Sequence, residues 1–549
     1  MAKKSKEKAK SEPLSIRLKL FAPGMSLLHR VGLGGLACTL RHIEQAYRDG
    51  TYGDEQVPGT PWSDDEPPWT VEPTQITLQL PAPNAAGEFL KRLFALAFQI
   101  DDSGLVCLPG QYRKGATPSR EVLAELQQGM TLSFIQHGKT RTLAKEPTVI
   151  EFDVGQKKQI RVEYKPCSWF KHQDGWKELI EKNGCLTTRP VEVIGPLSPG
   201  AVVRHVAYSS STKIEDPVER VLPLYFALVG ALTLAINRGC GVLVIPEVED
   251  LTAFCFQRPE MTPTAAKECR IASAGDAALQ AQLRLKLGKT SKKFGLLGCH
   301  AVLFRPTSWG SQQKSRVSTL AVPAGDEVSL KQFQIALDEL SPRVATTKRQ
   351  EKVGKGKKAQ VVEHEVHFFS DSIVRPLVAD NLARGQPWYR GFVDLMTKLD
   401  PVSKKPFRPR LFFEKEGLKA MTEKIEWRDQ GEGAVVRAVH ESLRRRFGAI
   451  ASENKGKLGA MKNRMSGEFD KWRLAFAGAK TADQFRHAIC DLFSRSGMNS
   501  VLRTDWQSLL PWLSPGKWQL TRDLALLALA SYSGTGEKEI EASTEAKAS

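Results

Sequence analysis

The sequence predicts an α+β protein, with a mixed α/β N-terminal region followed by a C-terminal all-α helical bundle. Alternation of apolar and polar residues, typical of strands, recurs before residue 400 and disappears beyond it. The segment 411–534 instead carries apolar residues at helical spacing. At 549 residues the chain is too long for one hydrophobic core, so several domains are expected.

In the N-terminal region, 13–400, the alternation from Leu14 to Leu20 predicts a half-buried strand, and a helical pattern runs from Met25 to about Arg48. The apolar run Leu222–Ile236 is too short for a membrane span, which needs about 20 residues. It predicts a buried helix, followed by a strand at Gly241–Pro246. Other short strands are predicted at Gln75–Leu80, Thr131–Ile135, Thr148–Phe152 and Gln159–Tyr164.

Composition marks the expected linkers and tails. The lysine-rich start, 1–12, and the polar end, 535–549, are expected to be disordered, and 195–200 is a candidate break between two sublobes. The proline-rich stretch 401–410 is the expected linker to the bundle. Trp62 and Trp69 lie in a predicted loop, where they either fold back onto their own domain, which we favour, or anchor a neighbouring subunit.

Three apolar stripes define the bundle. Their spacing of three and four residues places each set on one helix face. The stripes consist of Val436, Val439, Leu443, Phe447 and Ile450; of Phe469, Trp472 and Phe476; and of Phe485, Ile489 and Leu492. A last helix is predicted from about Gln519 to Tyr532.

The charge indicates an anionic partner. Lysine and arginine number 79 against 61 aspartate and glutamate, a net charge of +18. Such an excess attracts polyanions over a Debye length of roughly 10 Å, so a nucleic-acid partner is expected. The nine cysteines form no Cys-x-x-Cys pair, and neither an apolar signal segment nor a membrane span is present. A cytoplasmic protein with reduced cysteines and no membrane partner is therefore expected.

Gly32, Gly34 and Ala37 match the G-x-G-x-x-G/A dinucleotide fingerprint, which requires a strand leading directly into the glycines. Here Pro23-Gly24 ends the strand and Met25–Val31 intervenes. We favour a helix packed through its glycines. A nucleotide-dependent enzyme using Gly32–Ala37 is the alternative.

Other catalytic patterns are incomplete. Gly288-Lys289-Thr290 resembles the end of a phosphate-binding loop, but Leu283 stands where its first glycine is required. His364 and His367 fall on opposite faces of a predicted strand and cannot share a metal there. No catalytic residue, metal site or cofactor is predicted.

Several segments interleave cations with aromatic residues, the combination that binds phosphates and stacks on bases. They include Lys165–Lys177, Lys289–Phe294 and Arg384–Arg390, and Arg305, Lys314 and Arg316 follow the second of these in sequence. The segments 289–316 and 343–358 are expected to be basic loops. The predicted nucleic-acid-binding residues are Arg30, Lys289, Lys292, Lys293, Arg305, Lys314, Arg316, Arg343, Lys348, Arg349, Lys352, Lys355, Lys357, Lys358, Arg384, Arg390, Arg444, Arg445 and Arg446. The last three lie off the apolar stripe of their helix and are expected to face outward.

The segment Pro23-Gly-Met-Ser-Leu-Leu-His-Arg-Val-Gly-Leu-Gly-Gly-Leu-Ala-Cys-Thr-Leu40 resembles the opening motif of the large subunit of type I CRISPR Cascade complexes, in the Myxan branch of type I-B. The closing segment Trp518–Tyr532 resembles the end of the same family. Length and layout agree over nearly the whole chain. The middle of the chain is not matched residue by residue.

The resemblance implies a non-catalytic subunit beside the 5′ end of the guide RNA (crRNA). Its N-terminal region would recognise the short duplex motif next to the target, the PAM, and help to form the R-loop. The implied partners are crRNA, target double-stranded DNA, the Cascade backbone, handle-capping and small subunits, and either a helicase-nuclease in defence or a transposition adaptor. An Arg, Lys, Asn or Gln must read the duplex motif, and the segments 289–316 and 343–358 are the candidates.

Overall fold

The computed structural model describes residues 13–62, 66–155, 158–199, 214–236, 239–288, 290–309, 312–353, 360–399, 406, 408–455 and 457–533. Within these ranges, the side chains of 306–316, 349–353, 360–362, 364 and 408 are not described. The expected disordered tails lie outside the described residues. The fold is α+β, and its contacts divide it into two compact units. Unit 1 comprises Met1–Gly325 and Val344–Phe369, and unit 2 comprises Asp326–Arg343 and Ser370–Ser549.

The strands are β1 (Leu14–Lys19), β2 (Trp69–Glu72), β3 (Gln75–Leu80), β4 (Gln99–Ile100), β5 (Val106–Cys107), β6 (Arg141–Leu143), β7 (Thr148–Asp153), β8 (Gln159–Tyr164), β9 (Cys167–Phe170), β10 (Val191–Glu192), β11 (Glu215–Asp216), β12 (Leu232–Ile236), β13 (Cys240–Pro246), β14 (Cys299–Trp309), β15 (Gln312–Val322), β16 (Arg343–Val353) and β17 (Gln360–Ser370).

The helices are α1 (Leu27–Arg48), α2 (Ala86–Ala97), α3 (Arg120–Thr131), α4 (Val218–Gly230), α5 (Leu251–Met261), α6 (Ala274–Leu287), α7 (Ser291–Phe294), α8 (Glu327–Glu339), α9 (Arg375–Ala383), α10 (Phe392–Thr397), α11 (Arg408–Leu411), α12 (Lys415–Lys424), α13 (Gln430–Glu453), α14 (Leu458–Gly478), α15 (Ala482–Arg495), α16 (Ser500–Thr504), α17 (Trp506–Leu509) and α18 (Trp518–Ser531).

Two four-stranded sheets carry the basic segments that the sequence singled out. One has the order β12-β13-β14-β15, and the other has the order β16-β17-β8-β7. In the first sheet all neighbours are antiparallel, whereas β17 pairs with β8 in parallel at His367 and Ile160. A three-stranded sheet, β1-β3-β2, lies at the start of the chain. Strands β15 and β16 are therefore edge strands.

Most predicted elements near the N-terminus are confirmed. Strand β1 and helix α1 fall where the alternation and the helical pattern place them. Trp62 and Trp69 are buried, with ring centroids 5.3 Å apart in a T-shaped pair, so they fold back onto their own domain. The predicted strand Thr131–Ile135 is wrong because α3 extends to Thr131 and turns follow it.

The apolar run Leu222–Ile236 is only partly helical. Helix α4 ends at Gly230 and the run continues as strand β12. A fully buried strand is as uniformly apolar as a buried helix, so periodicity did not separate the two. The chain thus passes directly from a buried helix into the sheet that carries β14 and β15.

Helices α1 and α4 approach each other through glycines. A Cβ atom at Gly32 would overlap the carbonyl oxygen of Pro223, and one at Gly35 would overlap that of Phe226. On the other helix, a Cβ atom at Gly230 would overlap the carbonyl oxygen of Val31. Gly32 and Gly35 lie inside α1, beyond its first turn. Only the first turn of a helix has N–H groups free to bind a phosphate, so these two glycines form no phosphate-binding loop. The structure therefore supports the helix-packing interpretation of the fingerprint.

A buried arginine fixes α5 against the end of α4. Arg258 is fully buried, and its guanidinium donates hydrogen bonds to the carbonyl oxygens of Val229 at 3.0 Å and Ala231 at 2.7 Å. The C-terminal end of a helix carries partial negative charge, which favours a cation there. Burial lowers the pKa of Arg258 to about 10, so it stays protonated at neutral pH.

Unit 2 is built around the last helix. Helix α18 is apolar on nearly every side and packs against α10, α12, α13, α14 and α15. The stripe residues Val436, Val439 and Leu443 on α13 are buried, as predicted. Helix α10 precedes the expected linker but is bound to α18, because the Asp523 carboxylate accepts hydrogen bonds from the backbone N–H of Gly391 at 2.7 Å and of Val393 at 3.2 Å.

No helix in the described part of the chain is long and apolar enough to cross a bilayer.

Candidate nucleic-acid interface

The hairpin of β14 and β15 continues beyond its sheet as a two-stranded ribbon. Strand β13 pairs with β14 only between Cys299 and Phe304. Pairing between β14 and β15 continues past this point, through Arg305 opposite Arg316, to Trp309 opposite Gln312. We call residues 305–309 and 312–316 the β14–β15 ribbon. Among the described residues, no third strand pairs with it.

The ribbon contains three of the predicted cations, namely Arg305, Lys314 and Arg316, and no acidic residue. The expectation that 289–316 forms a loop is wrong for this part. Lysine and arginine are tolerated in strands at the edge of a sheet, where they discourage pairing with other chains. The high polarity of the segment therefore belongs to a paired hairpin rather than to irregular backbone.

The second basic segment, 343–358, is also largely a strand rather than the expected loop, because 343–353 forms edge strand β16. Arg343 is held within unit 2, where its guanidinium donates to the carbonyl oxygen of Phe413 at 2.8 Å and lies 3.6 Å from Glu414. Lys348 pairs with Glu363 at 3.7 Å on the surface. Exposed pairs of this kind are weak, so Lys348 can exchange its partner for a phosphate.

Two predicted lysines precede a half-buried phenylalanine, Phe294, on one short helix. Lys292 and Lys293 are exposed on the short helix α7, and Lys293 Nζ lies 5.0 Å from the ring centroid of Phe294. Within the described ranges, neither lysine makes an ion pair. The ring of Phe294 lies nearly parallel to that of Phe256 on α5, with centroids 5.4 Å apart and an interplanar angle of 23°.

Sequence reasoning missed two members of this cluster. Phe256 stands in an apolar stretch of α5 that suggests a core residue, yet its side chain is 41% exposed. Arg41, on α1, places its guanidinium carbon 3.4 Å from the Phe256 ring centroid. No local pattern connects positions so far apart in the chain. We call Arg41, Phe256, Lys292, Lys293 and Phe294 the aromatic platform.

The aromatic residues between Arg384 and Arg390 are not available to nucleic acid. Trp388 and Tyr389 are buried, and the Tyr389 hydroxyl donates to Glu432 at 2.9 Å. Arg384 lies 4.0 Å from Asp380. The predicted stacking role of this segment is therefore wrong, and its two arginines stay candidates only as surface charges.

The segment Lys165–Lys177 is only partly turned toward the core. Phe170 and His172 are fully buried, and burial lowers the pKa of His172 to about 3, so it is neutral at physiological pH. The cations at its edge are paired, Lys171 with Glu178 at 2.5 Å and Lys177 with Asp174 at 2.7 Å. Trp169 and Trp176 are half-buried, and Lys177 Nζ lies 5.9 Å from the ring centroid of Trp176, so the segment presents a cation beside an aromatic ring only at its edge.

The three arginines of α13 differ in their surroundings. Arg444 and Arg445 are exposed, as predicted, and both pair with Glu441 at 2.8 Å. Arg446 is only 29% exposed and pairs with Glu468 on α14 at 2.8 Å. Arg446 therefore fastens two helices of unit 2, while the other two arginines present charge to solvent.

The polar residues of the opening motif stabilise the start of α1. Ser26 caps the helix, with its Oγ 2.7 Å from Nδ1 of His29, and His29 Nε2 lies 3.4 Å from Asp216. Burial lowers the pKa of His29, although Asp216 acts in the opposite direction. Arg30 is half-buried with its guanidinium carbon 6.0 Å from the ring centroid of Phe21. The motif is thus mainly structural.

The Gly288-Lys289-Thr290 segment does not cradle a phosphate. The carboxylate of Glu260 lies against Gly288, where it would repel an anion. Among the described residues, no group of histidine, cysteine, aspartate and glutamate is arranged to hold a metal ion. Lys289, Lys355, Lys357 and Lys358 lie outside the described residues, and the side chains of Lys314, Arg316, Arg349 and Lys352 are not described.

Comparison with known proteins gives an independent result. The family profiles of the DevT N-terminal domain and the DevT C-terminal domain match residues 17–225 and 423–549. The chain is 33% identical over 558 aligned residues to the CRISPR-associated protein Cas8a1/Csx13 of Myxococcus xanthus strain DK1622, covering 98% of this chain and 92% of that protein. The chain therefore belongs to the DevT family of Cas8-type proteins, the large subunits of CRISPR effector complexes.

Proposed function

We propose that the chain is the large subunit of a type I-B Cascade of the Myxan branch, and that its β14–β15 ribbon binds the PAM duplex. The observation that carries this proposal is the ribbon, which extends beyond strand β13 and holds three cations and no acid. A two-stranded antiparallel ribbon fits the major groove of B-DNA, which is about 12 Å wide.

In this proposal, the guide RNA reads the target sequence by base pairing, and the protein reads only the short duplex motif. Arg305, Lys314 and Arg316 supply phosphate contacts, while Gln312 and Gln313 are of the side-chain type that hydrogen-bonds to base edges. Edge strand β16, with its four lysines and arginines, is the second candidate surface for the duplex.

The other proposed contacts with nucleic acid also rely on exposed cations. Unit 2 presents Arg444 and Arg445, which we propose contact the separated strands during R-loop formation. We further propose a non-catalytic role in the cytoplasm, with contacts to crRNA near its 5′ end, to the backbone, handle-capping and small subunits, and to either a helicase-nuclease or a transposition adaptor.

The test is the salt dependence of binding by the purified chain. If the protein covers six phosphates, a plot of log affinity against log salt has a slope of about −5 for duplex DNA. Fluorescence anisotropy between 50 and 300 mM salt, in steps chosen to keep binding measurable, gives this slope. A slope near zero would contradict an interface built on phosphate contacts.

A further inference from the structure

The aromatic platform exposes one phenylalanine ring, that of Phe256, at a place where the fold does not require it. Helix α5 buries Leu251, Ala253, Phe254, Cys255 and Gln257, so Phe256 alone in this run points to solvent. A phenylalanine that served only the core would be enclosed, because burial of its ring is favourable. Its exposure, next to a second ring and to two lysines that have no ion pair within the described ranges, indicates a surface for a ligand.

The platform is also held in place. The Gln257 amide donates hydrogen bonds to the carbonyl oxygens of Phe294 and Gly295, both at 3.3 Å, which ties α7 to α5. The guanidinium of Arg41 covers part of the Phe256 ring in a cation–π contact. Rings fixed in this way lose little entropy when a ligand binds.

We propose that the platform binds an unpaired nucleobase of a single-stranded nucleic acid. The base stacks on the part of the Phe256–Phe294 pair that Arg41 leaves uncovered, and the neighbouring phosphates contact Lys292 and Lys293. This inference rests on the proposed function, and it adds a site for single strands that is distinct from the duplex-binding ribbon.

The chemistry of the platform favours a single strand over a duplex. In a duplex the faces of the bases are covered by their neighbours, whereas every unpaired base offers a face for stacking. Lys293, beside the Phe294 ring, and Lys292, on the same short helix, have no acidic partner in the described part of the chain, which suits a polyanion. The strand is either guide RNA or separated target DNA, and both present the same base and phosphate chemistry.

The experiment uses the full chain and short oligonucleotides that contain 2-aminopurine, whose fluorescence is quenched by stacking. Single-stranded DNA, single-stranded RNA and duplex DNA are titrated against the wild type and against Phe256→Leu and Phe294→Leu. Leucine keeps the apolar contact and removes the aromatic face. Phe412→Leu is the matched control, because Phe412 is 63% exposed but lies in unit 2, away from the platform residues in the chain.

We expect each platform variant to weaken single-strand binding about tenfold and to reduce quenching, because the base loses an aromatic ring on which to stack. Duplex binding and the Phe412→Leu variant are expected to be unchanged. Quenching by RNA alone identifies guide RNA as the ligand, and quenching by DNA alone identifies a target strand.

Two outcomes would overturn the inference. One is unchanged single-strand affinity in both platform variants while their circular dichroism matches the wild type. The other is an equal loss of single-strand and duplex affinity, which would indicate a damaged fold or a general phosphate surface. If the wild type binds no nucleic acid at all, it is the proposed function that fails.

Discussion

Replacing Gly230 with alanine is expected to lower the free energy of unfolding by about 3 kcal/mol, the upper end of the usual cost of overpacking. The added Cβ atom would overlap the carbonyl oxygen of Val31, and backbone atoms cannot turn aside as a side chain can. Helix α1 would have to move away from α4. Because β12 begins two residues after Gly230, the displacement would reach the sheet that carries the ribbon.

The matched control is Gly448→Ala. Gly448 lies inside α13, and its Cβ atom would meet no heavy atom within 4 Å. Alanine is favoured over glycine in helices by about 1 kcal/mol, so this change should stabilise the protein. Urea denaturation measures both variants, and Gly35→Ala should behave like Gly230→Ala. A Gly230→Ala variant as stable as the wild type would show that the two helices are not in contact through glycines.

Replacing Lys314 and Arg316 together with glutamine is expected to weaken duplex binding roughly 60-fold at 0.1 M salt. Each phosphate contact contributes about 0.9 to the slope of log affinity against log salt, so the slope should become less steep by about 2. Single-strand binding at the aromatic platform should change much less. Fluorescence anisotropy with duplex and single-stranded DNA at several salt concentrations measures both effects.

Lys91→Gln combined with Lys114→Gln is the control for net charge. These lysines are exposed, at 59% and 66%, and belong to unit 1 but not to the ribbon. The control removes the same charge but should change duplex affinity only slightly. Equal losses in the two double variants would mean that the overall charge, and not the ribbon, attracts DNA.

The sequence was sufficient for elements whose pattern is local. The Leu14–Leu20 alternation, the helix from Met25 and the stripe on α13 are each set by side-chain periodicity, and the structure confirms them. The glycine fingerprint was also interpretable, because Pro23-Gly24 separates the preceding strand from the glycines. Neither conclusion needed knowledge of distant contacts.

The candidate site depended on information that the local sequence does not contain. Trp388 stands between two arginines in the sequence, which suggested a surface residue, yet it is buried in unit 2. Phe256 stands in an apolar stretch, which suggested a core residue, yet it is exposed in unit 1. Only tertiary packing distinguishes them. The basic segments around Lys314 and Lys348 suggested loops because charge is commoner in loops, but their strands lie at sheet edges, where charge is tolerated.

The most direct measurement is to express the chain with its genomic neighbours, purify it through an affinity tag under native conditions and sequence the RNA that accompanies it. As a CRISPR large subunit that contacts the guide, it should copurify with RNAs that share one repeat-derived 5′ end and differ in their spacers. A complex that contains the chain but carries no such RNA would contradict the account.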